Sequence, residues 1–112
     1  MNSSYSFTKE ILTLVLSPLD VSVKNVGIEL LKIIRKNNKN KIIFDMSLFD
    51  VVTSLDIKFI EGLVSMLKLN NIFVVVCNFN PQSASILFHF IDEVKFETTL
   101  DVQSAIDVFQ NK

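Results

Sequence analysis

The sequence contains few of the residues on which common catalytic and binding motifs depend. Its 112 residues include two glycines, two prolines, one cysteine, one histidine and no tryptophan. Two glycines cannot build a glycine-rich loop that cradles phosphate groups, and a single thiol cannot form an internal disulfide. No cysteine–histidine cluster has the spacing of a zinc site. We therefore predict that the protein has no metal, no cofactor and no enzymatic activity.

Charge and hydropathy exclude two further classes of partner. The 11 basic and 12 acidic side chains give a net charge of −1 and form no large block of one sign. A protein that binds nucleic acid needs a clustered basic field. No apolar run reaches the roughly 20 residues of a membrane span, and the N-terminus does not resemble a signal peptide. We predict a cytoplasmic protein that binds no nucleic acid and does not insert into membranes.

The few side chains that could be reactive or bind metal are assigned to structural positions more readily than to catalysis or metal binding. Cys77 ends an apolar run, which favours a buried core thiol over a reactive one. His89 lies off the main apolar stripe of a predicted helix, as a partly exposed residue does. Asp45 and Asp50 flank a strand end and could hold Mg²⁺ there, but carboxylates are common at the surface ends of strands.

Hydrophobic periodicity predicts an α/β domain. Continuous apolar runs, typical of strands buried on both faces, alternate with segments in which apolar residues recur every three or four positions. This order predicts a single domain over residues 1–112, with a mixed sheet of about four or five strands, parallel inner strands and about four helices. Gly27 in the first helix indicates close approach to a neighbouring strand. In the first half of the chain we predict one bent or two short strands over 6–16 with a turn at Lys9 and Glu10, and then a helix from Asp20 or Ser22 to about Asn37. A strand over 42–46, a helix over 55–69 and a strand over 72–77 follow. The last predicted elements are a helix from Asn80 and Pro81, an edge strand over 94–96 and a helix capped by Thr98.

The segment 41–69 holds the most distinctive arrangement in the chain. An apolar strand leads into the turn 52–55, which we expect to be exposed, and then into a helix. Thr53 with Asp56 three residues later predicts a capping box. A phosphate on Ser54 or Thr53 would meet free amides and the positive end of the helix dipole. The residues alone leave two interpretations open, hydroxyls that only cap the helix and a phosphoacceptor whose charge changes what docks there. The predicted buried face of this helix consists of Leu55, Phe59, Ile60, Leu63, Val64 and Leu67.

Four short segments, spread over nearly the whole chain, each match a part of the same known sequence pattern. They are 17–20 after the second strand, 43–47 with 51–54 at the central strand and turn, 78–84 at a strand-to-helix step, and 99–106 at the start of the last helix. In this combination they resemble the STAS domain, named for sulphate transporters and anti-sigma factor antagonists. The step 78–84 is similar to that of the small stressosome scaffold proteins.

The resemblance implies a regulatory interaction module of a bacterial partner-switching or stressosome-type pathway. In that family a serine kinase related to histidine-kinase ATPase domains phosphorylates the serine of the central turn, and the phosphate changes which partner is held. Carried over by position, Ser54 is the acceptor and Thr53 the second choice, at a place where the family usually has aspartate. Partner binding is predicted at Asp20, Asp50, Thr53, Ser54, Leu55, Asp56 and Lys58.

The expected partners are a cognate serine/threonine kinase of the anti-sigma or stressosome type, other STAS proteins and a second copy of the chain. The glycine-free sequence after Ser54 is closer to the stressosome scaffold branch than to the antagonists, and the 49% hydrophobic composition favours a scaffold. Thr53 in place of aspartate leaves a second function open. It is a constitutive STAS-like accessory subunit of a transporter complex, without phosphorylation.

Overall fold

A five-stranded mixed sheet lies in the middle of the structure, a computed structural model that describes residues 4–8, 10–22, 25–80 and 96–111. The first two strands are antiparallel, and each later strand is parallel to the one before it. The mixed sheet with parallel inner strands confirms the predicted α/β class. In the order of both the sheet and the chain, the strands are β1 (Ser4–Thr8), β2 (Ile11–Val15), β3 (Lys41–Asp45), β4 (Phe73–Cys77) and β5 (Glu97–Thr99).

The helices in the described ranges are α1 (Val26–Asn37), α2 (Ser54–Leu69) and α3 (Val102–Gln110), with a short 3₁₀ turn over Pro18–Ser22. Helices α1 and α2 connect β2 to β3 and β3 to β4, and α3 follows β5. Because α1 begins at Val26, neither Asp20 nor Ser22 caps it as predicted. The predicted helix after Asn80, including His89, lies outside the described residues, as do Val94 and Lys95. No helix in the described part of the chain is both long and apolar enough to cross a membrane.

The inner strands β2, β3 and β4 are largely buried, and their alternating side chains pack on both faces of the sheet. On one face, Ile42 and Phe44 of β3 belong to the cluster that also includes the apolar stripes of α1 and α2. On the other face, Ile43 and Cys77 pack with Phe109 of α3. The buried thiol of Cys77 confirms the interpretation of that residue as part of the core.

Helix α2 begins one residue earlier than predicted, and its buried face differs at its first turn. Leu55 was expected on the buried face, but 73% of it is exposed, and Ile57 is buried instead. Stepping back from Leu67 at helical spacing through Ile60 reaches Ile57 and not Leu55. The prediction for Leu55 was wrong because an apolar residue at the start of a helix need not share the phase of the stripe.

The last helix is capped by Asp101, whose Oδ1 accepts a hydrogen bond of 2.8 Å from the amide of Ser104. Thr98, the predicted cap, lies within β5, because β5 begins later than the edge strand predicted over 94–96. The pairing of Thr98 with Val76 in the parallel ladder fixes that position. The sequence pattern predicted Thr98 as the cap, and the pairing of β5 with β4 overrides it.

Gly27 allows two helices to approach each other, not a helix and a strand as predicted. A Cβ atom at Gly27 would lie 3.2 Å from both Sδ and Cε of Met66 on α2. This distance is closer than ordinary van der Waals contact, so a larger residue would require the Met66 side chain to move. Gly27 thus permits the close approach of α1 to α2.

Candidate functional site

The candidate site is built on the loop 46–53, which connects the end of β3 to α2. Phe49 and Val52 point into the core, with 3% and 1% of their surface exposed. Val52 was predicted to be part of an exposed turn, and that was wrong. The sequence signal was present, because five of the eight loop residues are apolar and a loop of this composition buries some of them.

Side chains from two neighbouring strand ends hold the loop in place. Asn78 Nδ2 donates to Asp45 Oδ1 at 3.1 Å, and the amide of Ser47 donates to the same oxygen at 2.9 Å. Asn80 Nδ2 donates to the carbonyl of Phe49 at 3.0 Å and also to that of Asp50. The loop that leads to α2 is therefore tied to the end of β4 at two points.

These hydrogen bonds give Asp45 a structural role. Its side chain is 8% exposed and accepts the two bonds described above. Among the residues that the structure describes, no group of three or more histidine, cysteine, aspartate or glutamate side chains could hold a metal ion. The arrangement makes Asp45 an anchor of the loop.

The start of α2 is closed by the predicted capping box. Thr53 has extended backbone angles, and its Oγ1 accepts from the amide of Asp56 at 3.2 Å. Asp56 Oδ2 accepts in return from the amide of Thr53 at 2.9 Å. Both halves of the box are present, which confirms the prediction made from the spacing of these two residues. The Thr53 hydroxyl is therefore used in holding the helix end.

Ser54 is the first residue of α2, and its side chain is exposed. The first amides of a helix have no intrahelical acceptor, and the dipole places partial positive charge at this end. A phosphate on Ser54 would thus lie where negative charge is favourable. The capping box next to it holds the backbone of this turn through Thr53 and Asp56.

Asp20, predicted to bind a partner, is fully buried. Its Oδ2 accepts from the amide of Ser17 at 2.9 Å, and the amide of Leu19 donates to Ser17 Oγ at 3.2 Å. The carboxylate holds the 3₁₀ turn through this hydrogen bond and presents no surface to a partner. The sequence predicted Asp20 as a helix cap or a partner-binding residue, and its burial fits neither role.

The edge of the sheet from which α2 starts carries more exposed apolar surface than the sequence suggested. Five residues, each more than half exposed, follow the ends of β2, β3 and β5, and so lie at the edge of the sheet where the parallel strands end. We call this set the apolar rim. It consists of Leu19, Leu48, Val51, Leu55 and Leu100. Of these, only Leu55 was among the predicted partner-binding residues. The other apolar residues of the loop belong to no periodic pattern of a helix or strand, and this could have identified them as exposed contact residues.

The remaining predicted residues add charge beside the apolar rim. Asp50 and Lys58 are exposed and Asp56 is half-buried. Asp101, at the start of α3 on the same edge, has its pKa lowered by hydrogen bonds from the backbone and side chain of Ser104. Burial, assisted by the charges of Asp45 and Asp101, raises the pKa of Cys77 to about 12. The thiol is thus protonated at neutral pH and takes no part in chemistry at this edge.

No family model and no curated protein matches the sequence. Solved structures do match it over nearly its whole length. RsbS of Moorella thermoacetica, in a variant with serine replaced by glutamate, superposes with a TM-score of 0.76 at 20% identity, covering 99% of this chain and 97% of that one. A chain of the stressosome, described as a signal integration and transduction hub, gives 0.77 at 18% identity with 96% of each chain covered.

The unphosphorylated form of the anti-sigma factor antagonist SpoIIAA gives a TM-score of 0.65 at 15% identity, covering 98% of this chain and 99% of that one. These are STAS domain proteins. The resemblance predicted from four short segments is therefore confirmed for the fold, over almost the whole chain. Identities of this size establish the fold alone.

Proposed function

We propose that the chain is a non-enzymatic regulatory module in which phosphorylation of Ser54 changes the bound partner, in a bacterial partner-switching or stressosome-type pathway. The observation that carries this proposal is that two adjacent hydroxyl residues have different roles at the start of α2. Thr53 Oγ1 is occupied in the capping box, whereas Ser54 is exposed at the first position of α2.

The capping box favours Ser54 over Thr53 as the acceptor. A phosphate on Thr53 would replace the acceptor for the Asp56 amide and lie against the Asp56 carboxylate, which is bound to the Thr53 amide. Loss of an N-cap costs about 1 kcal/mol, and repulsion between like charges adds to it. A phosphate on Ser54 leaves both hydrogen bonds of the box in place and gains the field of the helix end.

The apolar rim explains how a phosphate at Ser54 would alter binding. A partner that covers Leu48, Val51 and Leu55 removes apolar surface from water, which favours association. A phosphate carries a charge of about −1.5 to −2 and would have to be desolvated in the same contact. A partner with an apolar contact surface is thus released, and one with a basic group is favoured.

The relatives by structure support this proposal. One is a variant in which glutamate, the usual substitute for a phosphorylated side chain, replaces a serine. Another is the anti-sigma factor antagonist SpoIIAA in its unphosphorylated form, and a third is a chain of the stressosome, a signal integration and transduction hub. By analogy, the partners here are a cognate serine/threonine kinase, other STAS proteins and further copies of this chain.

Peptide mapping of the protein purified from its own host tests the proposal directly. Trypsin cleavage after Lys41 and Lys58 releases the peptide 42–58, in which Ser47, Thr53 and Ser54 are separated by fragmentation. We expect an added phosphate on Ser54 under growth or stress. Phosphate on Thr53 alone would contradict the assignment of the acceptor.

Substitution then tests whether the phosphate matters. Ser54→Ala should abolish labelling by the cognate kinase and ATP, and Ser54→Asp should lose or exchange a partner. Ser65→Ala is a matched control, because Ser65 is an exposed hydroxyl residue on the same helix. If Ser54→Ala and Ser54→Asp bind every partner as the wild type does, in a stoichiometric complex with a transporter component, the accessory-subunit function replaces the switch.

A further inference from the structure

The two outermost strands of the sheet differ in how well they are protected against pairing with another chain. An outermost strand presents a row of backbone N–H and C=O groups on its open side, which can accept a further strand. β5 (Glu97–Thr99) has three residues, one of them charged, and a short or charged strand pairs poorly. β1 (Ser4–Thr8) has five residues, none of which is charged or proline. β1 is thus the strand on which another chain can add.

β1 is already held in the geometry that such an addition needs. It pairs with β2 in an antiparallel register over all five residues, without a bulge. In the part of the chain that the structure describes, no strand pairs with its other side. At the centre of the strand Ser6 is exposed, and the large apolar residue Phe7 is 39% exposed. A further strand would therefore remove apolar surface from water without having to order the backbone of β1.

The strand is complementary to a second copy of itself. In an antiparallel pair with a two-fold axis at Ser6, the residues that lie opposite each other are Ser4 and Thr8, Tyr5 and Phe7, and Ser6 and Ser6 of the second copy. None of these pairs brings like charges together, which would oppose association. A two-fold contact closes on itself, whereas addition of β1 to β5 of another copy would continue into a filament. The strand itself therefore favours a second β1 as its partner.

From these observations we propose that β1 is the contact surface between two copies of this chain, which join antiparallel along this strand into one ten-stranded sheet. The inference deepens the proposed function, on which it rests for the presence of further copies as partners. A five-residue strand is about 17 Å long in a sheet layer about 10 Å thick, so the contact is smaller than the roughly 800 Å² per partner of a stable interface. The pairing is therefore weak and reversible, with a Kd on the order of 100 μM.

The two-fold pairing does not cover the Ser54 surface of either copy. β3, whose end leads to Ser54, is the second strand from β1 in the sheet, about 10 Å away. Helices α1 and α2 pack on one face of the sheet, and a two-fold axis perpendicular to the sheet keeps this face of both copies on the same side. The strands of the second copy run the opposite way, so the two apolar rims point in opposite directions. Phosphorylation and pairing thus do not compete, and Ser54→Asp should dimerise as the wild type does.

Sedimentation equilibrium of the intact chain from about 10 μM to about 1 mM tests the pairing. Ser6→Lys and Ser6→Glu each place like charges opposite each other across the axis and should weaken dimerisation roughly fivefold. An equimolar mixture of these two variants places opposite charges there and should restore the affinity of the wild type. Ser65→Lys and Ser65→Glu, at an exposed position on α2, are the matched controls and should dimerise as the wild type does. A wild type that stays monomeric at the highest concentration, or a mixture no better than the separate variants, overturns the proposal.

Disulfide trapping in the intact chain then locates the contact. With Ser6→Cys, the two Cα atoms across the axis would lie about 4.5–5.5 Å apart, which is within the range of a disulfide. Oxidation by diamide should therefore cross-link Ser6→Cys into a dimer faster than Ser65→Cys, whose residue lies on α2. Native Cys77 is buried and protonated and does not compete. Equal rates of cross-linking in the two variants would exclude β1 as the contact surface.

Discussion

The two edges of the sheet are built in different ways. At the amino edge, where the parallel strands begin, α1 connects to β3 through residues 38–40 and α2 to β4 through 70–72, three residues in each case. Asn38 and Asn71 turn the chain there with φ values of 53° and 61°. At the carboxyl edge, where these strands end, the loop 46–53 has eight residues and is held by side chains.

The difference follows from loop length. A three-residue connection is fixed by its own backbone, as when the amide of Ile72 donates to the carbonyl of Leu67 at 2.9 Å. An eight-residue loop has more conformations to lose, so it needs the bonds from Asn78 and Asn80 and the burial of Phe49 and Val52. The same length gives that edge room to present Ser54 and the apolar rim.

The largest effect should come from a buried support of the carboxyl edge. Asp20→Ala leaves the buried amide of Ser17 without its acceptor and should lower the free energy of unfolding by about 2 kcal/mol, or about 10 °C in Tm. Asp50→Ala, at an exposed position on the same edge, should change it by less than about 0.5 kcal/mol. Denaturant melts of both variants measure the difference. Equal effects would mean that this edge does not depend on buried side-chain hydrogen bonds.

The capping box should give the next largest effect. Thr53→Ala removes the acceptor for the Asp56 amide and should destabilise the protein by about 1 kcal/mol. Thr53→Ser retains the capping hydroxyl and should be close to the wild type. Ser54→Ala should cost less than about 0.5 kcal/mol, because its side chain is exposed at the first helical position. A Ser54→Ala variant as unstable as Thr53→Ala would contradict the separation of the two hydroxyls.

At the amino edge the expected changes are smaller and depend on the backbone. Asn71→Ala places a Cβ-bearing residue without a short polar side chain at φ 61° and should cost about 1 kcal/mol or less. Asn71→Gly should be neutral or stabilising by a few tenths of a kcal/mol. Asn40→Ala, at a position without positive φ, serves as the control and should be silent in the same melts. Destabilisation by glycine would show that the asparagine side chain, not its backbone, holds the turn.

These two edges also separate what the sequence could predict from what it could not. Local patterns predicted the parallel strands and the capping box of Thr53 and Asp56. The burial of Asp20 and Val52 and the exposure of Leu55 depend on which elements lie beneath each loop. Which elements lie beneath a loop is decided by tertiary packing, and a local sequence pattern does not contain it. The carboxyl edge, where long loops meet several strand ends, is therefore where prediction from the sequence failed most often.

The smallest effect should be a pH dependence at the cap of α3. The hydrogen bonds from Ser104 lower the pKa of Asp101 in the folded protein below its ordinary value of 3.8. The ionised cap therefore contributes stability above that value, and the contribution is lost as the pH falls through the lower folded-state pKa. Asp101→Asn still accepts the Ser104 hydrogen bond but does not titrate, so the stability of the wild type relative to this variant should decline between about pH 5 and pH 2. Asp107→Asn, which removes a carboxylate from the same helix away from the cap, provides the control for net charge. A constant difference across this range would show that the Asp101 carboxylate is no better held in the folded chain than in the unfolded one.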